Sequence, residues 1–156
     1  MTRPCISILN TDLKIEDFDS GNIEVDDFLK IKAYKEQLHK ITAVYTIHLE
    51  HNVIAYSALF CTHFRLLLPD QAIPFRVPGI FIGQLGVDRK YQGKGLGQLL
   101  IEHAVALANE MSKKVGCRIV FLEAVDDKLP YYVKLNFRLI EQRINRNKMY
   151  LDLLKG

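Results

Sequence analysis

The sequence predicts an α/β (α+β) chain built on a mixed sheet, and three observations carry that prediction. An apolar run at residues 79–87, an amphipathic stretch from Lys94 and a second apolar run at residues 117–125 form a strand–helix–strand unit. Its two strands should be parallel, with a right-handed crossover. Two β-prone runs, residues 41–49 and 53–64, meet across Glu50-His51-Asn52 as a hairpin. Two more, residues 137–140 and 148–153, alternate like a final antiparallel pair about Asn145-Arg146-Asn147.

The remaining elements follow in order. Residues 5–9 are a short β-prone run. Residues 10–22 are polar with scattered apolar side chains, and Ser20-Gly21-Asn22 is a turn signal. Residues 24–39 read as a helix. Val25, Phe28 and Leu29 begin its apolar face, Leu38 lies near its end, and Glu24, Asp26 and Asp27 suit the positive end of the dipole. His48 and His51 are expected to be exposed. Residues 65–78 hold Pro69, Pro74 and Pro78 and read as a loop, because Pro74 and Pro78 argue against a central strand. Residues 79–87, apolar on both faces, suit a buried strand. The helix predicted over 94–114 carries Leu96, Leu99, Leu100, His103, Ala104, Leu107, Ala108 and Met111 on one face, with Gly116 as its stop. His103 inside that stripe is expected to be a satisfied, half-buried histidine. Residues 128–136 read as a short helix opened by Pro130.

Composition bounds the function. A chain of 156 residues, 49% hydrophobic and 25% charged, suits a single folded domain over 1–156 rather than a disordered segment. A net charge of +3 permits an anionic partner without demanding one. Cys5, Cys61 and Cys117 are far apart and form no metal-ligand spacing, so they are read as free thiols in a reducing cytoplasm. No stretch reaches the roughly 18 apolar residues of a membrane span, and residues 1–6 do not read as a signal peptide.

Between Val87 and the long helix stands Gln92-Gly93-Lys94-Gly95-Leu96-Gly97. Glycines on alternate positions let the backbone take φ > 0 and let a ligand reach the amides without meeting a Cβ. The first N–H groups of a helix lack intrahelical partners, the dipole favours negative charge, and Lys94 adds a cation. This reads as a cradle for a pyrophosphate, the plain alternative being a glycine-rich turn with no ligand. The dinucleotide pattern G-x-G-x-x-G fails, because Gln98 stands where its last glycine would be. The nucleotide P-loop fails because Gly95, not Ser or Thr, follows Lys94. What remains is Q-x-x-G-x-G, filled by Gln92, Gly95 and Gly97.

That pattern, between a strand ending Leu85-Gly86-Val87-Asp88 and an amphipathic helix, resembles the acetyl-CoA signature of the GNAT superfamily of N-acetyltransferases. The resemblance covers most of the chain, most specifically residues 79–137. It implies the GNAT fold, a central mixed, mostly antiparallel sheet of six to seven strands with about four helices, its fourth and fifth strands parallel and splayed. It implies acetyl-CoA as cosubstrate and no metal. The CoA diphosphate would lie on Gln92, Gly93, Lys94, Gly95, Leu96 and Gly97. The pantetheine would pair with the fourth strand at Leu85, Gly86 and Val87. Residues 131–137 resemble the family's F-Y-x-x-x-G-F, with Tyr131 for Phe and Asn136 for Gly. Asn is among the residues best able to take the left-handed conformation that Gly allows. Tyr132 is thus the candidate catalytic acid, because a phenol of pKa about 10 keeps its proton at pH 7 and can give it to a thiolate. The plain alternative is a packing residue.

A general base is harder to find. Many members of the family place Glu on the fourth strand, but residues 72–87 hold no Asp, Glu or His, and Gln84 takes no proton at neutral pH. Glu123 is the nearest carboxylate in the sequence, and a structural role fits it at least as well. A lysine amine, pKa about 10.4, is almost wholly protonated at pH 7, while an α-amine near 7.7–8.0 is partly free. An enzyme without a dedicated base should favour low-pKa amines.

Residues 18–29 carry a second likeness. They resemble the F-x-C-G-x-x-x-L-D-x-F-L start of the GNAT toxins of toxin–antitoxin pairs, with Ser20 for Cys and Val25 for Leu. Those enzymes acetylate the α-amine of aminoacyl-tRNA. The likeness implies aminoacyl-tRNA as acceptor and leaves a homodimer and an antitoxin open as partners. Arg89, Lys90, Lys94, Arg143, Arg146 and Lys148 would then meet RNA phosphates, unless they are simply solvated. Three readings stay open: an N-acetyltransferase of small-molecule, peptide or protein amines, an aminoacyl-tRNA toxin, and a non-catalytic acyl-CoA-binding sensor.

Overall fold

The computed structural model describes residues 4–154, so the reading of residues 1–6 falls partly outside the described residues. Seven strands form one sheet in the order β1-β2-β3-β4-β5-β7-β6. They are β1 (Ile6–Ile8), β2 (Ala43–Leu49), β3 (Asn52–Leu66), β4 (Phe75–Val87), β5 (Ile119–Ala124), β6 (Arg138–Glu141) and β7 (Asn147–Asp152). β4 pairs with β5 in parallel, while β1–β2, β2–β3, β5–β7 and β6–β7 are antiparallel. The mixed, mostly antiparallel sheet is as expected, with its parallel pair flanking the long helix. The chain divides into two compact units. One holds the residues up to Phe60 with Gly83–His103, the other Cys61–Ile82 with the residues from Ala104 on.

In the first unit, Asn22 caps a helix by accepting from the N–H groups of Glu24 and Val25 at 3.0 and 3.4 Å. The helix is α1 (Ile23–Asp27), a π turn at Phe28–Lys32, and α2 (Ala33–Leu38). In the π turn the Ala33 N–H reaches the Phe28 carbonyl. Leu29 and Ala33 are fully buried, and Phe28 stacks on Tyr56 with ring centroids 6.2 Å apart. The spacing of Val25, Phe28 and Leu29 is helical with or without the extra residue, so the sequence shows the helix and hides the π turn. Leu49 pairs with Asn52, and Glu50 and His51 between them sit at φ 49° and 71°. That is the two-residue turn whose twist matches a hairpin. His48 and His51 are exposed, as expected.

The helix predicted over 94–114 is α3 (Leu96–Ser112). Its start is displaced because Gly95, at φ +85°, is outside helical space. It ends before Gly116, in bonds from Lys113 to Glu110 and from Lys114 to Met111 that tighten the last turn. Leu96 and Leu100 bury against Ile47, Ile54 and Ala55. His103 corrects its expectation: it is half-buried, but Nδ1 has no hydrogen-bond partner. The ring lies 4.5 Å from Tyr45, and burial pushes its pKa down, so packing holds a neutral imidazole there.

In the second unit, Ile119, Phe121 and Tyr150 form a core with Leu66, Leu68 and Val77. Arg118 grips Asp152 through two bonds of 2.8 and 3.0 Å and reaches Asp70 at 3.0 Å. The loop predicted over 65–78 is shorter than expected, because β3 runs to Leu66 and β4 begins at Phe75. Pro78 therefore lies inside a strand. It contributes the one backbone hydrogen-bonding group it has, accepting from Arg118 N–H at 2.8 Å, and the pairing with β5 starts at Gly79. The short helix is α4 (Leu129–Lys134), entered from a 3-10 turn at Asp126–Lys128.

Candidate active site

The cradle belongs to the first unit. Beyond Val87 the chain is fixed by Asp88, a buried carboxylate. Asp88 N–H donates to the Ile54 carbonyl at 2.8 Å. Its Oδ1 accepts from Lys90 N–H at 3.0 Å, capping a 3-10 turn at Arg89–Tyr91, and its Oδ2 accepts from Asp19 N–H at 3.1 Å. The sequence reading gave Asp88 no role. An Asp between a strand and a turn is a capping signal that could have found it.

Gln92 follows, and its Nε2 donates to the carbonyls of Val87 and Ser20, both at 2.9 Å. The side chain is therefore a brace that ties the residue-20 turn to the end of β4. What it leaves for a ligand is backbone. Gly93 and Gly95 stand at φ +79° and +85°, and a Cβ on either would meet nothing within 4 Å. Open space lies where the side chains would be. The Gly95 carbonyl accepts from Leu99 N–H at 3.1 Å, which makes Gly95 the N-cap of α3. A glycine there brings no side-chain oxygen to the first-turn N–H groups, so they and the helix dipole remain for an anion. Lys94 is exposed, with Nζ 5.5 Å from the Tyr91 ring centroid. Leu96 is buried and anchors the helix start.

The predicted pantetheine edge precedes the cradle. The pairing of β4 with β5 runs from Gly79–Ile119 to Ile82–Leu122, and β4 continues to Val87, so Leu85, Gly86 and Val87 lie beyond the last pair. Leu85 and Val87 pack into the cluster of Leu96 and Leu100. A Cβ on Gly86 would come within 2.4 Å of Val25 Cγ1, so glycine here permits the close approach of α1.

Tyr132 belongs to the second unit and is half-buried. Its carbonyl accepts from the N–H of Phe137, and the Val133 carbonyl from that of Asn136, both at 3.0 Å. This pair of bonds closes a helix through a left-handed residue, and Asn136 is at φ 73°. The expectation that Asn136 takes the glycine position is met. The motif places Phe137 against Tyr132, ring centroids 5.9 Å apart, with Tyr131 at 5.2 Å. Burial, with a smaller effect from Tyr131, pushes the Tyr132 phenol up to about 12. Among the described residues nothing hydrogen-bonds to its hydroxyl.

Glu123 is not placed as a free base, since its carboxylate faces Arg146 at 3.5 Å. Most of the basic residues singled out from the sequence are likewise partnered. Arg89 pairs with Asp19 at 3.2 Å, Arg143 with Glu141 at 2.7 Å, and Lys148 with Glu141 at 3.7 Å.

Residues 13–137 match the acetyltransferase (GNAT) family. The chain belongs to that family. A tRNA-acetylating toxin of Mycobacterium tuberculosis is 26% identical to this acetyltransferase over 135 residues, 80% of this chain and 78% of the toxin. The solved structure of AtaT complexed with acetyl-methionyl-tRNAfMet shares 27% identity with it at a TM-score of 0.86, covering 98% of this chain and 96% of that one. A mutant AtaT toxin bound to the C-terminus of the antitoxin AtaR and acetyl-CoA shares 25% identity at a TM-score of 0.81, over 97% and 94% of the two chains. The acetyltransferase has the GNAT fold expected of it. Among the described residues, no helix is long and apolar enough to cross a membrane.

Proposed function

We propose that this acetyltransferase moves the acetyl group of acetyl-CoA onto the α-amine of an aminoacyl-tRNA. The observation that carries the acceptor is the engagement of Glu123 with Arg146, in a chain whose residues 72–87 hold no acid or histidine. An enzyme without a free carboxylate base works on amines that are already unprotonated, and an α-amine near 7.7–8.0 meets that condition far better than a lysine at about 10.4. The likeness to a tRNA-acetylating toxin and to AtaT with acetyl-methionyl-tRNAfMet supports the same acceptor.

In this reading the Gly93–Gly97 backbone and Lys94 hold the CoA diphosphate, and Leu85 to Val87 offer their backbone to the pantetheine. The amine nitrogen attacks the thioester carbonyl and the C–S bond breaks. The departing thiolate takes the Tyr132 proton, and the proton shed by the new amide nitrogen goes to solvent, from which Tyr132 is reprotonated. The products are an N-acetyl-aminoacyl-tRNA and CoA thiol. The free thiols of Cys61 and Cys117 suit work in the cytoplasm. The likeness to AtaT bound to the C-terminus of the antitoxin AtaR supports an antitoxin as a further partner.

The test is acetylation of charged tRNA beside free amines and peptides, with labelled acetyl-CoA. Label in aminoacyl-tRNA supports the proposal. Label in a small amine or peptide alone overturns it. Gly95→Glu, with its folding checked by circular dichroism, should lose acetyl-CoA binding. Retained binding would remove the cradle from the mechanism.

A further inference from the structure

We propose that Asp126 is a positioning residue for Tyr132, an inference that rests on the acid role given to Tyr132 above. α4 has six residues, too few to hold a helical conformation by themselves. Its C-terminal end is fixed by the bonds through Asn136 and by Phe137, which is buried. At its N-terminal end Pro130 presets the backbone in the first turn, but Lys128 at the N-cap makes no side-chain capping bond. What fixes that end lies one 3-10 turn earlier.

Asp126 opens that turn and clasps the hairpin between β6 and β7. Its N–H donates to Asn145 Oδ1 at 3.2 Å, and its Oδ1 accepts from Asn145 N–H at 3.1 Å. The same Oδ1 accepts from Asn147 Nδ2 at 2.7 Å, and Asn147 Nδ2 also donates to the Ala124 carbonyl at 3.0 Å. Asn147 is fully buried. With its nitrogen on these two acceptors, its own Oδ1 is buried without a partner. Turning the amide over would satisfy neither the Ala124 carbonyl nor Asp126. The clasp therefore sets where the chain leaves β5. The Asp126 carbonyl then accepts from Leu129 N–H, which carries that direction into α4. Tyr132 lies one turn further on. Asp126 touches no reacting atom in this account. It acts by setting the angle at which the Tyr132 hydroxyl is presented.

The test is a double-mutant cycle on CoA thiol release from acetyl-CoA, with methionyl-tRNA and, separately, hydroxylamine as acceptor. Asp126→Ala should lower kcat about tenfold, with KM for acetyl-CoA changed by no more than about twofold. Asp126→Asn, which keeps the Oδ1 acceptor, should restore the rate. In a Tyr132→Phe background, Asp126→Ala should have no further effect, because the group it positions is gone. An equal loss in both backgrounds would show a general structural role and overturn the proposal. If Tyr132→Phe alone leaves kcat unchanged, the acid role falls and the positioning role falls with it. Turnover with hydroxylamine but not with methionyl-tRNA overturns only the tRNA reading and leaves the cycle readable. Should Asp126→Ala not fold, Asn145→Gly takes its place. It keeps the left-handed φ of 54° and removes one acceptor from the clasp. A loss of about threefold that vanishes with Tyr132→Phe supports the proposal, and no loss overturns it.

Discussion

A phenol whose pKa is pushed up to about 12 keeps its proton over the whole range in which an α-amine is free. Tyr132→Phe is therefore expected to lower kcat by about two orders of magnitude while leaving KM for acetyl-CoA near its wild-type value. The wild-type rate should rise through the amine pKa near 8 and then stay level through about pH 9, where the aminoacyl ester still survives, which a pH–rate profile would show. The shift also bears on stability. The folded pKa lies above the unfolded value of about 10, so its contribution is fully present below about pH 10 and is lost as the pH climbs toward 12. Gly95 stands at φ +85°, which side chains rarely adopt. Ala there must adopt φ +85°, so Gly95→Ala should cost about 1 kcal/mol in urea unfolding and raise KM for acetyl-CoA. These residues were legible in the sequence because their neighbours in the chain define them: Tyr132 by the Asn136-Phe137 that follows it, Gly95 by its place before an amphipathic helix. The brace made by Gln92 and the clasp made by Asp126 were not visible because their partners lie far along the chain. The Gln92 amide meets Ser20, and the Asp126 carboxylate meets Asn145 and Asn147.

The elements obey the same division. The hairpin turn at Glu50-His51 and the Asn136 closure of α4 follow from local rules, and both appear where the sequence places them. The π turn and the inclusion of Pro78 within β4 are settled by what packs and pairs beside them, which periodicity does not report. The meeting of β4 with α1 is a test of that packing. A Cβ at residue 86 lies 2.4 Å from Val25 Cγ1, so Gly86→Ala should destabilise the protein by about 2 kcal/mol. Val25→Ala should cost about 1 kcal/mol alone, and in the double variant the two losses should not add, because the truncated side chain vacates the space the new methyl needs. Additive losses in thermal melts would show that β4 and α1 yield in some other way.

For the molecule as a whole, the ion cluster of Arg118 ties the start of β5 to Asp152 at the end of β7 and to Asp70 in the loop before β4. The Asp152 side chain is only 4% exposed, so Asp152→Ala leaves the guanidinium with Asp70 alone and should cost about 2 kcal/mol. The hydrogen bond from Arg118 holds the Asp70 carboxyl below its ordinary range. A depressed carboxyl contributes stability above its unfolded pKa, near 3.9, and loses it as the pH falls through the lower folded value. Acid unfolding should therefore set in below about pH 4, and in Asp70→Asn the melting temperature should fall less steeply over that range. The sheet ends in short strands at both edges. Its two outer strands are β1, with three residues, and β6, with four. β6 also carries an irregularity in its register between Leu139 and Glu141. Short, kinked borders offer a stray chain little ladder to extend. At high concentration this protein should resist fibril growth and stay in solution.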